Sequence, residues 1–293
     1  MLKLLLQKIM LNFKLDLKWL FKAPLPITSR VSFLLRKYFA IVGKRDHLLF
    51  CGHDFYYDNR LTPALLPDYL FEILELGKSI ELGSLKSVLD IGANIGQFGA
   101  TISNFAPEAQ IFSFEPNAEI FPILERNSAR IPRWRAFPFG ISNESGSRGL
   151  HYVPGKSSQG SIYSANASQG LLSHNFKSIK VEFKKLDSAE LARLKIPGHY
   201  DLIKIDVEGA EAEVLSSLTQ LTWRYLYIEL AEGRDGALSL SEALDLLSKN
   251  ERVQVSLVKS TSPAGPGQIY QALFINNKLS ALQHFDHGAA LES

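Results

Sequence analysis

The sequence has few of the residues that build disulfide frameworks or metal clusters. One cysteine, Cys51, is present among 293 residues, so an internal disulfide and a cysteine-rich zinc site are both excluded. No apolar run approaches the ~20 residues that a membrane span requires. Lysines also interrupt the N-terminal stretch in which the apolar core of a signal peptide would lie. These features are typical of a reducing compartment, and we expect a cytoplasmic protein.

Acidic residues are nearly missing from the N-terminal segment, residues 1–45, where Asp16 is the only one. This segment carries ten basic residues and therefore has a net charge of +9. The whole chain is +2, which leaves −7 for the remainder. Its basic residues alternate with apolar and aromatic ones, and we expect a helix that packs on the rest of the chain or on a second copy, with its lysines facing solvent. The alternative is an amphipathic helix at an anionic membrane surface. Nucleic-acid binding is disfavoured because the segment is as apolar as it is basic.

Length and pattern predict one large α/β domain with an accessory segment. We expect a basic, mainly helical accessory region over residues 1–80, the α/β domain over residues 81–280 and a tail over residues 281–293. Strands and helices alternate from Ser87 onward, which predicts a parallel sheet flanked by helices. Two predicted strands near the end, Gln254–Lys259 and Tyr270–Ile275, would add an antiparallel hairpin. Residues 149–178 are small and polar, which predicts a loop.

The first motif is a sharp turn from a buried strand into a helix. An apolar run from Ser87 to Ile91 is followed by Gly92-Ala93-Asn94-Ile95-Gly96 and then by an amphipathic stretch. Glycines at such a turn let the backbone bend tightly and approach a ligand. In a parallel α/β sheet, the turn lies at the carboxyl end of a strand, where ligands bind.

A second predicted strand ends in Glu115, 19 residues after Gly96. An acid at about this distance can accept hydrogen bonds from the two hydroxyls of an adenosine ribose. The same spacing fits a nicotinamide dinucleotide. However, the acid at the end of the first strand, Asp90, would repel a pyrophosphate, whereas it would tolerate a ligand that carries an ammonium and a sulfonium.

A third strand ends in Lys204-Ile205-Asp206-Val207-Glu208-Gly209-Ala210-Glu211 and leads into a helix. Together, the three motifs closely resemble the FkbM family of S-adenosylmethionine-dependent methyltransferases, over about Ser87 to Asn276. The resemblance implies a Rossmann-like class I methyltransferase fold, a mostly parallel sheet flanked by helices, with S-adenosylmethionine as the cofactor. The cofactor-binding residues that it implies are Asp90, Gly92, Asn94, Gly96, Glu115 and, beside the adenine, Asn143.

The predicted catalytic residues are Asp206, Lys204 and Glu208. Methyl transfer to a hydroxyl is an in-line displacement, which needs positioning of the acceptor and removal of its proton. The acids suggest Mg²⁺, but we expect no metal, because Glu208 and Glu211 are predicted in the first turn of a helix, where the helix dipole stabilises acids. Glu229 is expected at the same edge of the sheet.

Many family members have a histidine just after the acid that corresponds to Glu229, whereas Leu230 follows it here. If that histidine is a base in the relatives, this chain needs another base. His151, His174 and His199 are present, but none is assigned a catalytic role.

The resemblance implies an O-methyltransferase that acts on a hydroxyl of a sugar, glycolipid or secondary metabolite. Transfer to nitrogen or carbon is an alternative, and so is a catalytically silent, membrane-associated binding or scaffold protein. The expected partner is a small-molecule or glycan acceptor, and a homo-oligomer is compatible with the sequence. The expected location is cytoplasmic, with a peripheral contact at the inner face of the membrane as a further hypothesis.

Overall fold

The computed structural model describes residues 13–14, 16–23, 26–43, 45–58, 62–153, 156–162, 177–231, 236–248, 253–260 and 269–277. The predicted tail and His174 lie outside these residues. Residues 16–22 are helical. The longer helices are α1 (Ile27–Gly43), α2 (Thr62–Leu76), α3 (Gln97–Phe105), α4 (Phe121–Ser128), α5 (Ser188–Leu194), α6 (Glu211–Ser217) and α7 (Leu240–Ser248). Short 3₁₀ helices span Leu82–Ser84 and Leu218–Gln220.

The strands form a large sheet, a small sheet and a hairpin. They are β1 (His47–Phe50), β2 (His53–Tyr56), β3 (Ser87–Ile91), β4 (Gln110–Phe114), β5 (Trp134–Phe137), β6 (Gly140–Ile141), β7 (Gly146–Val153), β8 (Lys156–Ser161), β9 (Lys177–Lys184), β10 (His199–Ile205), β11 (Thr222–Ala231), β12 (Val253–Ser260) and β13 (Ile269–Asn276).

The large sheet has the strand order β12-β13-β11-β10-β3-β4-β5 in the described residues. Strands β11, β10, β3, β4 and β5 are parallel, and β13 and β12 are antiparallel to their neighbours. The predicted fold class, including the closing hairpin, is confirmed. From β3 the chain first adds β4 and β5 on one side and later β10 and β11 on the other. Ligands bind at such a reversal of strand order.

Side chains alternate along each strand, so successive residues lie on opposite faces of the sheet. Different helices cover the two faces. One face, which includes Val88 and Leu202, packs against residues of α1, α2, α3 and α4. The other face, which includes Leu89 and Ile203, packs against α5, α6 and α7. The sheet is therefore buried on both sides, as continuous apolar strands require.

The N-terminal residues belong to the same core cluster as the sheet. Trp19, Phe33 and Phe50 are all buried in the cluster that contains Val88 of β3. The accessory region proposed over residues 1–80 therefore shares its hydrophobic core with the catalytic region. The described residues of the N-terminal segment pack on the rest of the chain, which was one of the two alternatives for this segment.

Part of the predicted loop over residues 149–178 is sheet. Strands β7, β8 and β9 pair antiparallel, and β6 adds to the free side of β9 in parallel. The small, polar residues of β7 and β8 suggested a loop, but β7 pairs with both β9 and β8, and these pairings supply the hydrogen bonds of the ladder. The rest of the prediction, residues 154–155 and 163–176, lies outside the described part.

Candidate active site

A cavity lies at the carboxyl ends of the parallel strands, where the strand order reverses. Most of its polar lining comes from the turns that follow β3, β4 and β10 and from Glu229 within β11. The predicted residues that line it are Gly92, Asn94, Glu115, Asp206, Glu208 and Glu229. These residues are distant in sequence, and the parallel arrangement of the four strands brings them to one edge of the sheet.

Gly92 lets the turn after β3 pass directly beside β10. Its φ is +77°, and an added Cβ would lie 1.9 Å from the carbonyl oxygen of Asp206. No side chain fits in this space. The amides of Gly92 and Ala93 both donate to the carbonyl of Phe114, each at 3.0 Å, which ties the turn to β4 as well. Next in the turn, Asn94 is also left-handed, with a φ of +52°, a conformation that asparagine tolerates better than most residues.

Glu115 is held by two backbone amides. Its Oε2 accepts from the amide of Asn94 and its Oε1 from the amide of Asn117, each at 2.9 Å. Burial raises the pKa of Glu115 to about 7, although these hydrogen bonds favour the ionised form. An ionised carboxylate has about four acceptor positions, so two remain for the hydroxyls of a ribose.

A polar row crosses three strands below the cavity. Lys204 of β10, Asp90 of β3 and Ser113 of β4 are register partners. Asp90 is fully buried, accepts from Ser113 Oγ at 2.9 Å and lies 3.6 Å from Lys204 Nζ. Trp134 Nε1 donates to Ser113 Oγ at 2.9 Å. This row lies within the otherwise apolar face that packs against α3.

Lys204 is shared between two carboxylates. Its Nζ lies 3.1 Å from Asp206 Oδ2 and donates to the carbonyl of Gly92 at 3.3 Å. Burial alone would lower the pKa of Lys204, but the charges of Asp206 and Asp90 outweigh it and raise the pKa. Burial raises the pKa of Asp90. Lys204 is therefore a charged ammonium that holds Asp206 and the Gly92 turn together.

Three acids meet at the open side of this arrangement. Carboxylate oxygens of Asp206, Glu208 and Glu229 lie within 4.8 Å of one another. Burial, and then the neighbouring Asp206, raise the pKa of Glu229 to about 8. Glu208 lies in the turn before α6, not in its first helical turn as predicted, because the helix begins only at Glu211. The helix-dipole argument therefore applies to Glu211 and not to Glu208. By donor type and spacing, the three acids could hold a metal such as Mg²⁺.

A second cavity adjoins the first and shares Tyr69, Asp206 and Glu229 with it. It is further lined by Asp68 and Glu72 of α2 and by Lys204, Tyr227 and Gln271. Tyr227 makes a side-chain hydrogen bond with Glu72. The lining is thus rich in carboxylates, and Lys204 is the only cation among its described residues.

Three predicted cofactor residues do not line the first cavity: Asp90, Gly96 and Asn143. Asp90 lies behind the turn in the polar row, paired with Lys204 and Ser113. Gly96 is explained by packing, because an added Cβ would lie 2.7 Å from the ring of Trp134. Asn143 is exposed, and the residues just before it, Gly140 and Ile141, line the cavity instead.

Several lining residues had no recognisable signal in the sequence. Leu150, Ser161 and Phe183 come from the small sheet, which was predicted partly as loop, and Ile162 directly follows β8. Tyr69 comes from α2, upstream of all three motifs. Each of these residues reaches the cavity through tertiary packing and not through a local pattern. His199 lies at the start of β10, the end of that strand away from the cavity.

A family model now bears on the site. The model described as the methyltransferase FkbM domain matches residues 90–251, which contain the motifs of β3, β4 and β10. The chain belongs to this family. The resemblance that the motifs carried is thereby confirmed, and S-adenosylmethionine is the cofactor that family and fold assign to the site.

Two curated relatives illustrate the similarity. The 2-O-methyltransferase NoeI of Sinorhizobium fredii is 31% identical over 180 residues, which cover 57% of this chain and 72% of NoeI. The hexuronic acid methyltransferase AglP of Haloferax volcanii is 30% identical over 161 residues, which cover 53% of this chain and 61% of AglP. The chain spans less than two thirds of the length of most of the curated relatives that it matches.

Among solved structures, Aeropyrum pernix fibrillarin with natively bound S-adenosyl-L-methionine aligns with a TM-score of 0.42 at 9% identity. The alignment covers 67% of this chain and 69% of that chain. Within the described residues, no helix is long and apolar enough to cross a membrane.

The residues around the first cavity fit the cofactor. Glu115 keeps acceptor positions, and Gly92 leaves no side chain between the turn and β10. Acids and uncharged groups prevail in this lining, as a ligand with a sulfonium and an ammonium requires.

Proposed function

We propose that the chain is an S-adenosylmethionine-dependent O-methyltransferase that methylates a hydroxyl of a sugar, glycolipid or secondary metabolite. The observation that carries the proposal is the junction of the two cavities, where Asp206 and Glu229 face both. The cofactor supplies an electrophilic methyl group on sulfur. The first cavity has the ribose-binding acid, Glu115, and the second is open for an acceptor. The names of NoeI and AglP support a sugar as the acceptor.

The base in this proposal is Glu229, with Asp206 and Glu208 as positioning acids. A general base works best when its pKa is close to the working pH, and the pKa of Glu229, at about 8, meets this condition. Asp206 is already paired with Lys204, so its carboxylate is oriented and suited to accept a hydrogen bond from the acceptor hydroxyl. Lys204 keeps the Gly92 turn and Asp206 in fixed relation.

Gly92, Asn94 and Glu115 bind the cofactor directly, while Asp90 and Gly96 position the turn. Asn143 is the least supported of the proposed cofactor contacts.

The proposal includes no metal. Lys204 already supplies a positive charge 3.1 Å from Asp206 and 3.6 Å from Asp90, so Asp206 has a cationic partner without a metal ion. Methyl transfer should therefore persist in EDTA, and a loss of activity that Mg²⁺ restores would overturn this part.

We also propose that the chain works on the cytoplasmic side, with its basic N-terminal segment in peripheral contact with a membrane.

The test is methyl transfer from labelled S-adenosylmethionine to fractionated glycans and glycolipids, with the labelled product identified. Calorimetry should show binding of S-adenosylhomocysteine and none of NAD. Replacement Glu229→Gln should lower kcat by about 10²–10⁴-fold with little change in that binding, and the acid limb of the pH–rate profile should disappear. The control is Glu182→Gln, an exposed glutamate of β9. Label on nitrogen or carbon would refute the oxygen preference, and binding without transfer to any fraction would favour a silent scaffold.

A further inference from the structure

Exposed apolar side chains are concentrated on the N-terminal helices. Among the described residues, eight of the nine exposed large hydrophobic side chains lie between residues 13 and 39, and Leu49 is the ninth. Most are spaced four residues apart along two helical stretches: Phe13, Leu17 and Phe21, and then Ile27, Val31, Leu35 and Phe39. Residues four apart lie on the same side of a helix. We call these seven side chains the N-terminal face.

The opposite side of the same helices is buried. Trp19 and Phe33 pack together, with ring centroids 4.4 Å apart, inside the main core cluster. Trp19 Nε1 donates to the carbonyl of Arg30 at 3.1 Å, and the Arg30 guanidinium donates to the carbonyl of Leu20 at 2.9 Å. These contacts join the two helical stretches into one unit. The N-terminal face is therefore the outer side of a packed structure, with Phe21 71% and Phe39 65% exposed.

The exposed charged side chains of these helices have one sign. Lys14, Lys22 and Arg36 are exposed on the same helices. Asp16 is the only acid in this part of the sequence, and it is buried in an ion pair with Lys37. The helices thus present lysine, arginine and large apolar side chains to the surroundings and no carboxylate of their own.

We propose that the N-terminal face docks on an anionic lipid bilayer. Basic residues beside an apolar stripe match a bilayer surface, since the apolar side chains enter the acyl boundary while the cations meet anionic headgroups. A second copy of the chain is a poorer occupant, because a twofold contact through this face would bring positive surfaces together. This inference names the surface for the peripheral contact proposed above, and it needs no methyl-transfer activity.

Docking there would bring the acceptor cavity close to the lipid. Lys18 Nζ lies 4.0 Å from the ring centroid of Phe71 on α2. The same helix supplies Asp68, Tyr69 and Glu72 to the second cavity. One helix therefore separates the N-terminal helices from the cavity assigned to the acceptor. An acceptor hydroxyl on a lipid headgroup or lipid-linked glycan would be within the reach of such an arrangement.

The test is flotation of the full chain with vesicles of phosphatidylcholine alone and of phosphatidylcholine with about one third phosphatidylglycerol. We expect the chain to float with the anionic vesicles only, and less so at high salt. The double variant Phe21→Ser, Phe39→Ser and the triple variant Lys14→Glu, Lys22→Glu, Arg36→Glu should each reduce partition at least about tenfold. All five positions are exposed, so folding should be preserved and is checked by circular dichroism.

The matched controls change equivalent residues elsewhere. Leu49→Ser removes the exposed large hydrophobic residue that lies outside the N-terminal helices, and Lys86→Glu, Lys180→Glu, Lys185→Glu reverses three exposed lysines of the catalytic region. Controls that lose as much binding as the face variants would overturn the proposal. Failure of the unaltered chain to float with either vesicle type would overturn it too. If that chain is then a dimer that the variant Phe21→Ser, Phe39→Ser converts to a monomer, a second copy is the occupant of the face. Because S-adenosylhomocysteine binding is measured without vesicles, failure of the activity and failure of this face are distinguishable.

Discussion

At the scale of single residues, some side chains of the site could be predicted from their spacing in the sequence. Other contacts of the site could not be predicted, because they depend on residues from other strands. Glu115 could be predicted because the distance from the Gly92 turn to the next strand end is set by one helical crossover. The reason for Gly96 could not be predicted, since the ring that excludes a Cβ belongs to Trp134, a residue from another strand. Asp90 was recognisable as part of the motif, but its burial beside Lys204 follows from strand register.

Replacement of Glu115 by glutamine should weaken S-adenosylhomocysteine binding by about 10- to 100-fold. The amide keeps the size of the side chain but replaces one acceptor oxygen by a donor, and the loss of one charge-assisted hydrogen bond costs about 1.5–3 kcal/mol. Calorimetry measures the affinity, and circular dichroism checks the fold. Glu125→Gln, an exposed glutamate on α4, is the control and should bind normally. Unchanged affinity of Glu115→Gln would remove this residue from the cofactor site.

Two glycines have nearly equal φ angles but different surroundings. Comparing them separates the cost of a positive φ in a residue other than glycine from the cost of a steric clash with an added Cβ. Gly52 has a φ of +79° with nothing within 4 Å of an added Cβ, whereas Gly92 has a φ of +77° and an added Cβ 1.9 Å from a carbonyl oxygen. Gly52→Ala should lower the free energy of unfolding by about 1–2 kcal/mol. Gly92→Ala should cost about 1–3 kcal/mol more and should impair cofactor binding. Urea unfolding measures both variants, and equal losses would mean that the turn after β3 yields to the methyl group.

At the scale of elements, apolar runs predicted most strands of the large sheet, because buried parallel strands are continuously apolar. Side-chain contacts changed the boundaries. A proline at position 116 is typical of the start of a helix, but α4 begins only at Phe121, because Glu115 and Asn117 accept hydrogen bonds from the amides of Asn117 and Glu119 and hold a turn first. The small sheet was not fully predicted, because the pairing of β7 with β9 joins residues far apart in the sequence and no local pattern indicates it.

The polar row across β10, β3 and β4 makes a prediction at this scale. Lys204→Met should lower the free energy of unfolding by about 3–5 kcal/mol, because Asp90 loses its buried cation. Adding Asp90→Asn should restore part of the loss, since the orphaned charge is removed. Denaturant unfolding of both single variants and the double variant gives the coupling energy. Lys86→Met, an exposed lysine just before β3, is the control. Strictly additive losses would show that the two side chains do not interact.

At the scale of the whole molecule, the parallel sheet concentrates acids at one edge and has to bury several of them. Burial raises the pKa of Glu115 and Glu211 to about 7 and that of Glu229 to about 8. The sequence predicted that acids would gather there, because several predicted strands end in them. It did not predict their raised pKa values, which depend on neighbours that only the assembled fold supplies, such as Glu72 of α2 beside Glu229.

These buried acids should make the cofactor-free protein less stable as the pH rises from 5 to 8. A carboxyl group whose pKa is raised by folding contributes stability below its unfolded value, near 4.5, and that contribution is lost as the pH rises through the folded value. Glu229→Gln should therefore flatten the dependence of the free energy of unfolding on pH by about 1–3 kcal/mol over this window. Glu190 is the matched control, because Arg193 holds its pKa down at about 2 and Glu190→Gln should leave the slope between pH 5 and 8 unchanged. Urea unfolding at each pH measures the slopes, and a Glu229→Gln slope equal to that of the unaltered chain would mean that Glu229 is ionised throughout, which would also remove the case for it as the base.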